Sequence, residues 1–235
     1  LDPTRDDDIA ALFIGANDYF GVVNEIKDGK LASEAFATKL SDVIVGQLKQ
    51  LKDIGFRNII VGNIAAIQVT PLAVSSGTVE VAKETIPLTN QFIERKANAW
   101  GLTAGLKLFS VADVSTFVQL TVKQSLSSAL GLITTTEPCV DLTQMGEYFS
   151  SGNVLQGLID VLANLSEVIC SNPTEHYFMD PAHPAERAQR LFGYFLYETI
   201  VALRSGSSFD LDEANLLSLI KRFGLNSVAP KPAAI

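Results

Sequence analysis

Short apolar runs alternate with long amphipathic segments in the first half of the chain, and this alternation most restricts the possible fold. The runs lie at 9–14 (IAALFI), 58–64 (NIIVGNI) and 106–111 (LKLFSV). Each is short and continuously apolar, which is typical of a strand buried on both faces. Helical spacing of apolar residues at 33–54 and 87–100 separates the runs, and Pro87 is expected to open the second helix. The pattern predicts a parallel sheet covered by helices on both sides.

The second half of the chain continues this pattern less regularly. Residues 123–153 are rich in Ser, Thr and Gly and are expected to form loops around short helices, and 154–169 returns to helical spacing. A very short strand is predicted at 177–179, and a helix from Pro184 to about residue 203. We expect one α/β domain over residues 1–204, and a linker, an amphipathic helix and a tail over 205–235.

The charge balance excludes several classes of partner. The chain carries 18 Lys and Arg against 26 Asp and Glu, a formal net charge of −8, so we expect no nucleic-acid partner. No apolar stretch approaches the roughly 20 residues of a membrane span, so we expect no integral membrane segment. There is no Walker loop and no Gly-x-Gly-x-x-Gly. The three aspartates at 6–8 are interpreted as solvated, and neither a metal nor another cofactor is predicted.

The chain contains two cysteines, Cys139 and Cys170, both in loop-like sequence. An even count leaves two alternatives open, a disulfide or two free thiols. We predict the disulfide, which would suit a secreted, extracellular protein.

The segment DPAHP at 180–184 holds one of the two histidines of the chain. Asp180 precedes His183 by three residues in a proline-stiffened turn. A carboxylate at that distance can fix the tautomer of the imidazole and leave its other nitrogen as a general base. Pro184 suits the first position of the following helix. The alternative is an ordinary Asp-Pro helix entry with an exposed histidine.

Two further segments follow strands, at the edge of a parallel sheet where sites form. One is Asn63 with the residues after it; the other is GAND at 15–18. Asn17 is either a turn residue or a side-chain amide directed at a developing oxyanion. Gly15 would let the backbone turn and approach closely, and Asp18 could brace the loop.

Gly-x-Asn-Asp after a strand, followed later by Asp-x-x-His-Pro at the entry to the last helix of the domain, resembles the GDSL or SGNH family of serine esterases and lipases. The stretch from Cys170 through SNPTEHYFMDPAHPAERAQRLFGYFL is similar to the C-terminal segment of secreted members. The order of strands and helices also matches over residues 9 to about 203. The resemblance implies a three-layer α/β/α, flavodoxin-like fold with a mainly parallel sheet that lacks its first strands.

The resemblance also implies an activity and its residues. Asn17 would be the oxyanion-hole amide, His183 the general base and Asp180 the carboxylate that orients it. The expected reaction is hydrolysis of a small carboxylic ester, whether an acyl ester, a lipid or an acylated sugar.

The nucleophile block of that family is missing. Its Gly-Asp-Ser segment and a following glycine block normally precede Gly-x-Asn-Asp, and Gly-Asp-Ser does not occur in the 235 residues. We expect the chain to be the C-terminal part of a larger protein, or to pair with an N-terminal fragment, and to be inactive alone. The alternative is a non-catalytic binding or interaction protein on the same scaffold.

Overall fold

A computed structural model describes residues 7–140 and 168–227 of the chain. These residues form a mixed α/β structure with small parallel sheets, consistent with the predicted three-layer α/β/α class. They divide into two compact units. The first comprises residues 7–69, 73–119 and 196–211, and the second comprises 70–72, 120–140, 168–195 and 212–227. The proposed boundary between a domain at 1–204 and an appendage at 205–235 stays a prediction.

The first unit contains a three-stranded parallel sheet. Its strands are β1 (Ile9–Leu12), β2 (Asn58–Gly62) and β3 (Leu108–Ala112), in that spatial order. The register places Ile9 opposite Asn58, and Asn58 opposite Leu108. Every residue of the central strand β2 is buried, as the continuous apolar run predicted.

Helices of the first unit share an apolar core with this sheet. In chain order they are α1 (Ala16–Lys27), α2 (Ser33–Asp53), α3 (Pro71–Ser75), α4 (Val79–Thr103) and α5 (Val114–Thr121), of which α3 and α5 extend into the second unit. Ile59 and Val61 of β2 belong to one core with residues of α1, α2 and α4. The larger buried members contributed by those helices are Tyr19, Phe36, Leu40, Ile44, Leu48, Ile86 and Ile93.

The prediction that Pro87 opens a helix is wrong, because α4 begins at Val79 and contains Pro87 in its interior. Ala82, Ile86 and Ile93 are fully buried on its inner face. An interior proline costs a helix about 3 kcal/mol through a lost hydrogen bond and a steric clash. Burial of Ile86 and Ile93 outweighs that cost, since fully burying a large apolar side chain contributes roughly 1.5–3 kcal/mol.

The second unit contains a short parallel pair of strands. In chain order its elements are α6 (Gln124–Ala129), β4 (Thr134–Pro138), β5 (His176–Phe178), α7 (Glu186–Arg204) and α8 (Glu213–Phe223), and the last residues of α7 belong to the first unit. β4 pairs with β5 at Thr134–His176 and Pro138–Phe178, with an irregular register between these points.

Three expectations for this region have different outcomes. β4 falls where loops were expected, because its polar sequence TTTEP carries no apolar signal. The helix after His183 begins at Glu186 rather than Pro184, since Pro184 forms a β-bridge with Phe178. The helix predicted at 154–169 falls almost wholly outside the described residues.

Cys139 and Cys170 form a disulfide bond with an S–S distance of 2.10 Å, which confirms that prediction. The bond fits an extracellular protein. Within residues 7–140 and 168–227, no helix combines the length and the apolar character needed to cross a bilayer.

Candidate active site

Asp180 and His183 form a directly bonded pair in the second unit. His183 Nδ1 lies 2.8 Å from Asp180 Oδ2 and 3.0 Å from Oδ1. An ionised carboxylate can only accept hydrogen bonds, so Nδ1 carries the proton and Nε2 is left as an acceptor. The His183 side chain is 73% exposed, against 32% for Asp180. The geometry therefore supplies an accessible imidazole nitrogen with a defined tautomer.

The backbone around this pair is closed by hydrogen bonds. Met179 N–H donates to His183 O (2.9 Å), and Ala185 N–H donates to Tyr177 O (2.6 Å). Together with the bridge between Phe178 and Pro184, these bonds close residues 179–184 into a tight loop at the end of β5. The loop is also held from outside, because Leu72 N–H donates to Pro181 O (2.8 Å).

The ionisation of Asp180 is set by opposing effects. Partial burial raises the pKa of its carboxyl group. That effect is outweighed by hydrogen bonds from the Ala182 N–H, the His183 ring and the His183 N–H, and then by the charge of a protonated His183. The pKa of Asp180 is therefore lowered below its usual value. Both N–H groups donate to Oδ1 at 2.8 Å. The carboxylate therefore stays ionised at neutral pH, as a group that orients an imidazole must.

The strand that leads into this loop is anchored by buried aromatic residues. Tyr177 and Phe178 are almost fully buried, with ring centroids 4.8 Å apart in an edge arrangement. The hydroxyl of Tyr177 lies 2.7 Å from Thr121 Oγ1. Burial raises the pKa of Tyr177 to about 12, with a smaller opposing effect of the Thr121 hydrogen bond. No local sequence pattern links Thr121 to Tyr177, so this anchor was not predicted from the sequence.

The second histidine, His176, has a structural position. It is 9% exposed, and its Nδ1 lies 3.0 Å from the backbone carbonyl oxygen of Glu137 in β4. A carbonyl oxygen only accepts, so His176 Nδ1–H donates and links β5 to β4.

Asn17 lies in the first turn of α1, directly after β1. The nearby Gly15 has φ 109° and ψ −19°, and its carbonyl accepts a hydrogen bond from Tyr19 N–H at 3.1 Å. A Cβ atom at Gly15 would lie 2.6 Å from Ile64 Cδ1, so glycine is needed both for its conformation and for its size. Of the two alternatives for Asn17, the structure therefore places the residue in a helix that begins at Ala16 and not in a simple turn.

The side chains of Asn17 and Asp18 are both exposed. Among the described residues neither side chain makes a hydrogen bond, so the amide of Asn17 is available to a ligand. The bracing role expected of Asp18 has no such bond to support it; its position in the first helical turn favours its negative charge.

The side chain of Asn63, the residue after β2, makes structural hydrogen bonds. Its Nδ2 donates to Glu94 Oε1 (3.0 Å) and Asp113 Oδ1 (2.9 Å), and its Oδ1 accepts from Ser115 N–H (2.9 Å). Both amide hydrogens and the amide oxygen are therefore used, and Asn63 is 5% exposed. The residue joins β2 to α4 and α5.

The structure thus brings Asp180 and His183 together within the second unit, while Gly15, Asn17 and Asp18 belong to the first. The convergence of Asn17 on His183 stays a prediction. No group of three His, Cys, Asp or Glu side chains suited to a metal ion occurs in the described ranges.

Comparison of the sequence with models of known protein families gives no match, and comparison with curated proteins gives none either.

Proposed function

We propose that this protein is an ester hydrolase of the GDSL or SGNH type and that this chain supplies its acid–base pair and an oxyanion donor. The observation that carries the proposal is the 2.8 Å contact between Asp180 Oδ2 and His183 Nδ1, on a backbone loop that leaves the ring exposed. An oriented carboxylate–imidazole pair is what a serine nucleophile requires of its base.

In the proposed mechanism His183 Nε2 takes the proton of a serine hydroxyl as its oxygen attacks the ester carbonyl. Asp180 holds the resulting imidazolium through Nδ1–H and remains ionised. The amide of Asn17 donates to the oxyanion of the tetrahedral intermediate. His183 then returns the proton to the leaving alcohol, which leaves the acyl group on the serine. Water, which gives a proton to His183, attacks this acyl group. His183 returns the proton to the serine oxygen as the carboxylic acid is released.

The serine is proposed to come from a segment other than the 235 residues, in the same protein or as an N-terminal partner. Among the described residues β1 pairs with β2 alone, and we place the added strand at its other edge. Such an edge is a template for strand addition. β1 also leads directly into Gly15 and Asn17, so an added parallel strand would end beside them.

The proposed substrate class is a small carboxylic ester, an acyl ester, a lipid or an acylated sugar, hydrolysed outside the cell. The disulfide supports that location.

The test is hydrolysis of a p-nitrophenyl acyl ester by the chain alone and with a Gly-Asp-Ser-bearing segment supplied. The chain alone should not exceed background, because a base and an oxyanion donor without a positioned hydroxyl can only activate water. The completed protein should turn over and should be labelled by a serine-reactive fluorophosphonate. Fluorophosphonate-sensitive turnover by the 235 residues alone would contradict the proposed source of the nucleophile.

Three variants of the completed protein then assign the roles. Asn17→Ala should lower kcat by about 10²–10³-fold, since one oxyanion donor is lost. The matched control is Asn24→Ala, an exposed asparagine of the same helix, which should leave kcat unchanged. His183→Ala should cost more than Asn17→Ala. Full activity of the His183→Ala protein would refute the proposal.

Asp180→Asn should lower kcat by about 10³–10⁴-fold, because an amide can stabilise the wrong imidazole tautomer. The control is Asp212→Asn. The Asp212 side chain also accepts a hydrogen bond from a backbone N–H at a helix start, that of Asn215 at 2.7 Å, but neither histidine is near it in the sequence.

The second candidate is a non-catalytic binding protein on the same scaffold, and the absence of Gly-Asp-Ser from the sequence favours it. The two are separated by the fluorophosphonate experiment. A binding protein gives no labelled serine and no turnover with any supplied segment.

A further inference from the structure

The Cys139–Cys170 disulfide lies at the end of the strand pair that carries the Asp180–His183 loop. Cys139 directly follows β4, and Cys170 N–H donates to Cys139 O at 2.8 Å. Val140 and Ile169 form an antiparallel bridge beside the bond. The disulfide therefore joins the chain after β4 to the segment that leads into β5.

A short path of backbone hydrogen bonds connects the disulfide to the Asp180–His183 loop. Cys139 N–H donates to Phe178 O (3.0 Å), and Val140 N–H donates to Met179 O (2.8 Å). Met179 is the residue before Asp180, and its own N–H donates to His183 O (2.9 Å). Cys139 and Val140 are thus each one backbone hydrogen bond from the residues that lead into the Asp180–His183 loop.

Besides the disulfide, the His176–Glu137 hydrogen bond and a short, irregular backbone pairing hold β4 against β5. The sheet has two strands, β5 has three residues, and the pairing is irregular between its two registered points. An isolated pair of strands is marginally stable in water. β4 also buries little, since Thr136 and Glu137 are exposed. A covalent link next to the last registered pair, Pro138–Phe178, compensates for this weakness.

We infer that the Cys139–Cys170 disulfide is a positioning element for the Asp180–His183 pair, and that its reduction loosens the pair while the first unit stays folded. The functional consequence rests on the function proposed above: the completed protein hydrolyses ester when the disulfide is oxidised, and does so poorly when it is reduced. Reduction by a dithiol breaks the Sγ–Sγ bond and gives each sulfur one electron and one proton. The dithiol becomes a cyclic disulfide. Cys139 is buried and Cys170 is half-buried, so attack begins at Cys170.

The test uses the full chain, oxidised or treated with dithiothreitol, at a temperature where circular dichroism finds both forms folded. Amide hydrogen exchange measured by NMR is the first readout. Exchange at Val140 and Met179 should accelerate at least tenfold on reduction, while amides of α2 and α4 change less than twofold. Smaller acceleration at Val140 and Met179, or equal acceleration in α2 and α4, would overturn the inference.

The second readout is the tautomer of His183, from long-range ¹H–¹⁵N spectra of the imidazoles. A His176→Gln variant distinguishes the two histidines, and Asp180→Asn gives the spectrum of a broken pair. On reduction the His183 ring shifts should move at least halfway to those of Asp180→Asn; a smaller movement would overturn the inference. The double variant Cys139→Ser and Cys170→Ser should give the same ring shifts as the reduced protein, and dithiothreitol should not change them.

These two readouts do not depend on turnover, so they decide the inference even if the proposed hydrolase activity is absent. Where the completed protein does hydrolyse ester, reduction should lower kcat at least fivefold and leave KM within twofold. An unchanged kcat in reduced protein would overturn the functional consequence.

Discussion

Gly15→Ala should strongly destabilise the first unit, because two separate costs meet at this glycine. Gly15 has φ 109°, where L-residues are strained, and a Cβ there would lie 2.6 Å from Ile64 Cδ1 and 3.1 Å from Leu40 Cδ2. Ile64 and Leu40 are both buried, so neither can move into open space.

The magnitude follows from adding these costs. Positive φ costs an alanine about 1–2 kcal/mol, and the smaller entropy of the unfolded chain returns about 0.4–1 kcal/mol. Crowding in a packed core adds about 1–3 kcal/mol. Taking the middle of each range, we expect a loss of about 3 kcal/mol in the free energy of unfolding.

Two other glycines of the first unit separate the backbone cost from the crowding. Gly29 has φ 70°, and a Cβ added there would meet nothing within 4 Å, so Gly29→Ala should cost only about 1 kcal/mol. Gly21 lies inside α1 in open space, so Gly21→Ala should stabilise by about 0.5–1 kcal/mol.

The assay is guanidinium unfolding followed by the fluorescence of Trp100, the single tryptophan of the chain, which packs on Phe109 in the first unit. Gly15→Ala should lower the midpoint by roughly 0.5–1 M. Equal losses for Gly15→Ala and Gly29→Ala would refute the crowding argument, and no loss for Gly15→Ala would refute both parts.

Four further predictions concern the second unit. Oxidised, unfolded protein should contain no titratable thiol, and reduction of the disulfide, which spans a sequence separation of 31, should lower the free energy of unfolding by about 3–4 kcal/mol. Tyr177→Phe and Thr121→Val should each cost about 1–2 kcal/mol in denaturant unfolding, and the double variant should cost less than their sum. Because the pKa of Tyr177 is raised to about 12, its contribution to stability is complete below pH 10 and is lost as the pH rises towards 12, a loss that Tyr177→Phe should lack. Since the pKa of Asp180 is lowered, the stability from its carboxylate is complete above about pH 4 and is lost below it, so wild type and Asp180→Asn should converge in stability on acidification.

The features that the sequence predicted well depend on residues close together in the chain. A short apolar run predicts a strand from its own composition, and the three predicted strands of the first sheet are present as β1, β2 and β3, although only β2 is buried along its whole length. The contact between Asp180 and His183 is also local, because three residues of a stiff turn bring carboxylate and imidazole within reach. The sequence likewise predicted the pairing of Cys139 with Cys170, since the chain offers each cysteine one possible partner.

Other features were decided by contacts between distant segments. The start of α4 at Val79 and its passage through Pro87 depend on a core that α1 and α2 help to form. β4 forms by pairing with β5, which lies far along the chain, and its polar sequence carries no apolar pattern that predicts this partner. Asn63, a site candidate by its place after a strand, became structural when Glu94, Asp113 and Ser115 bonded both of its amide hydrogens and its amide oxygen. Composition and spacing specify what a segment can bury, or bond to, within a few residues. The contacts of a polar strand, a buried amide or an interior proline depend instead on segments that lie tens of residues away in the chain.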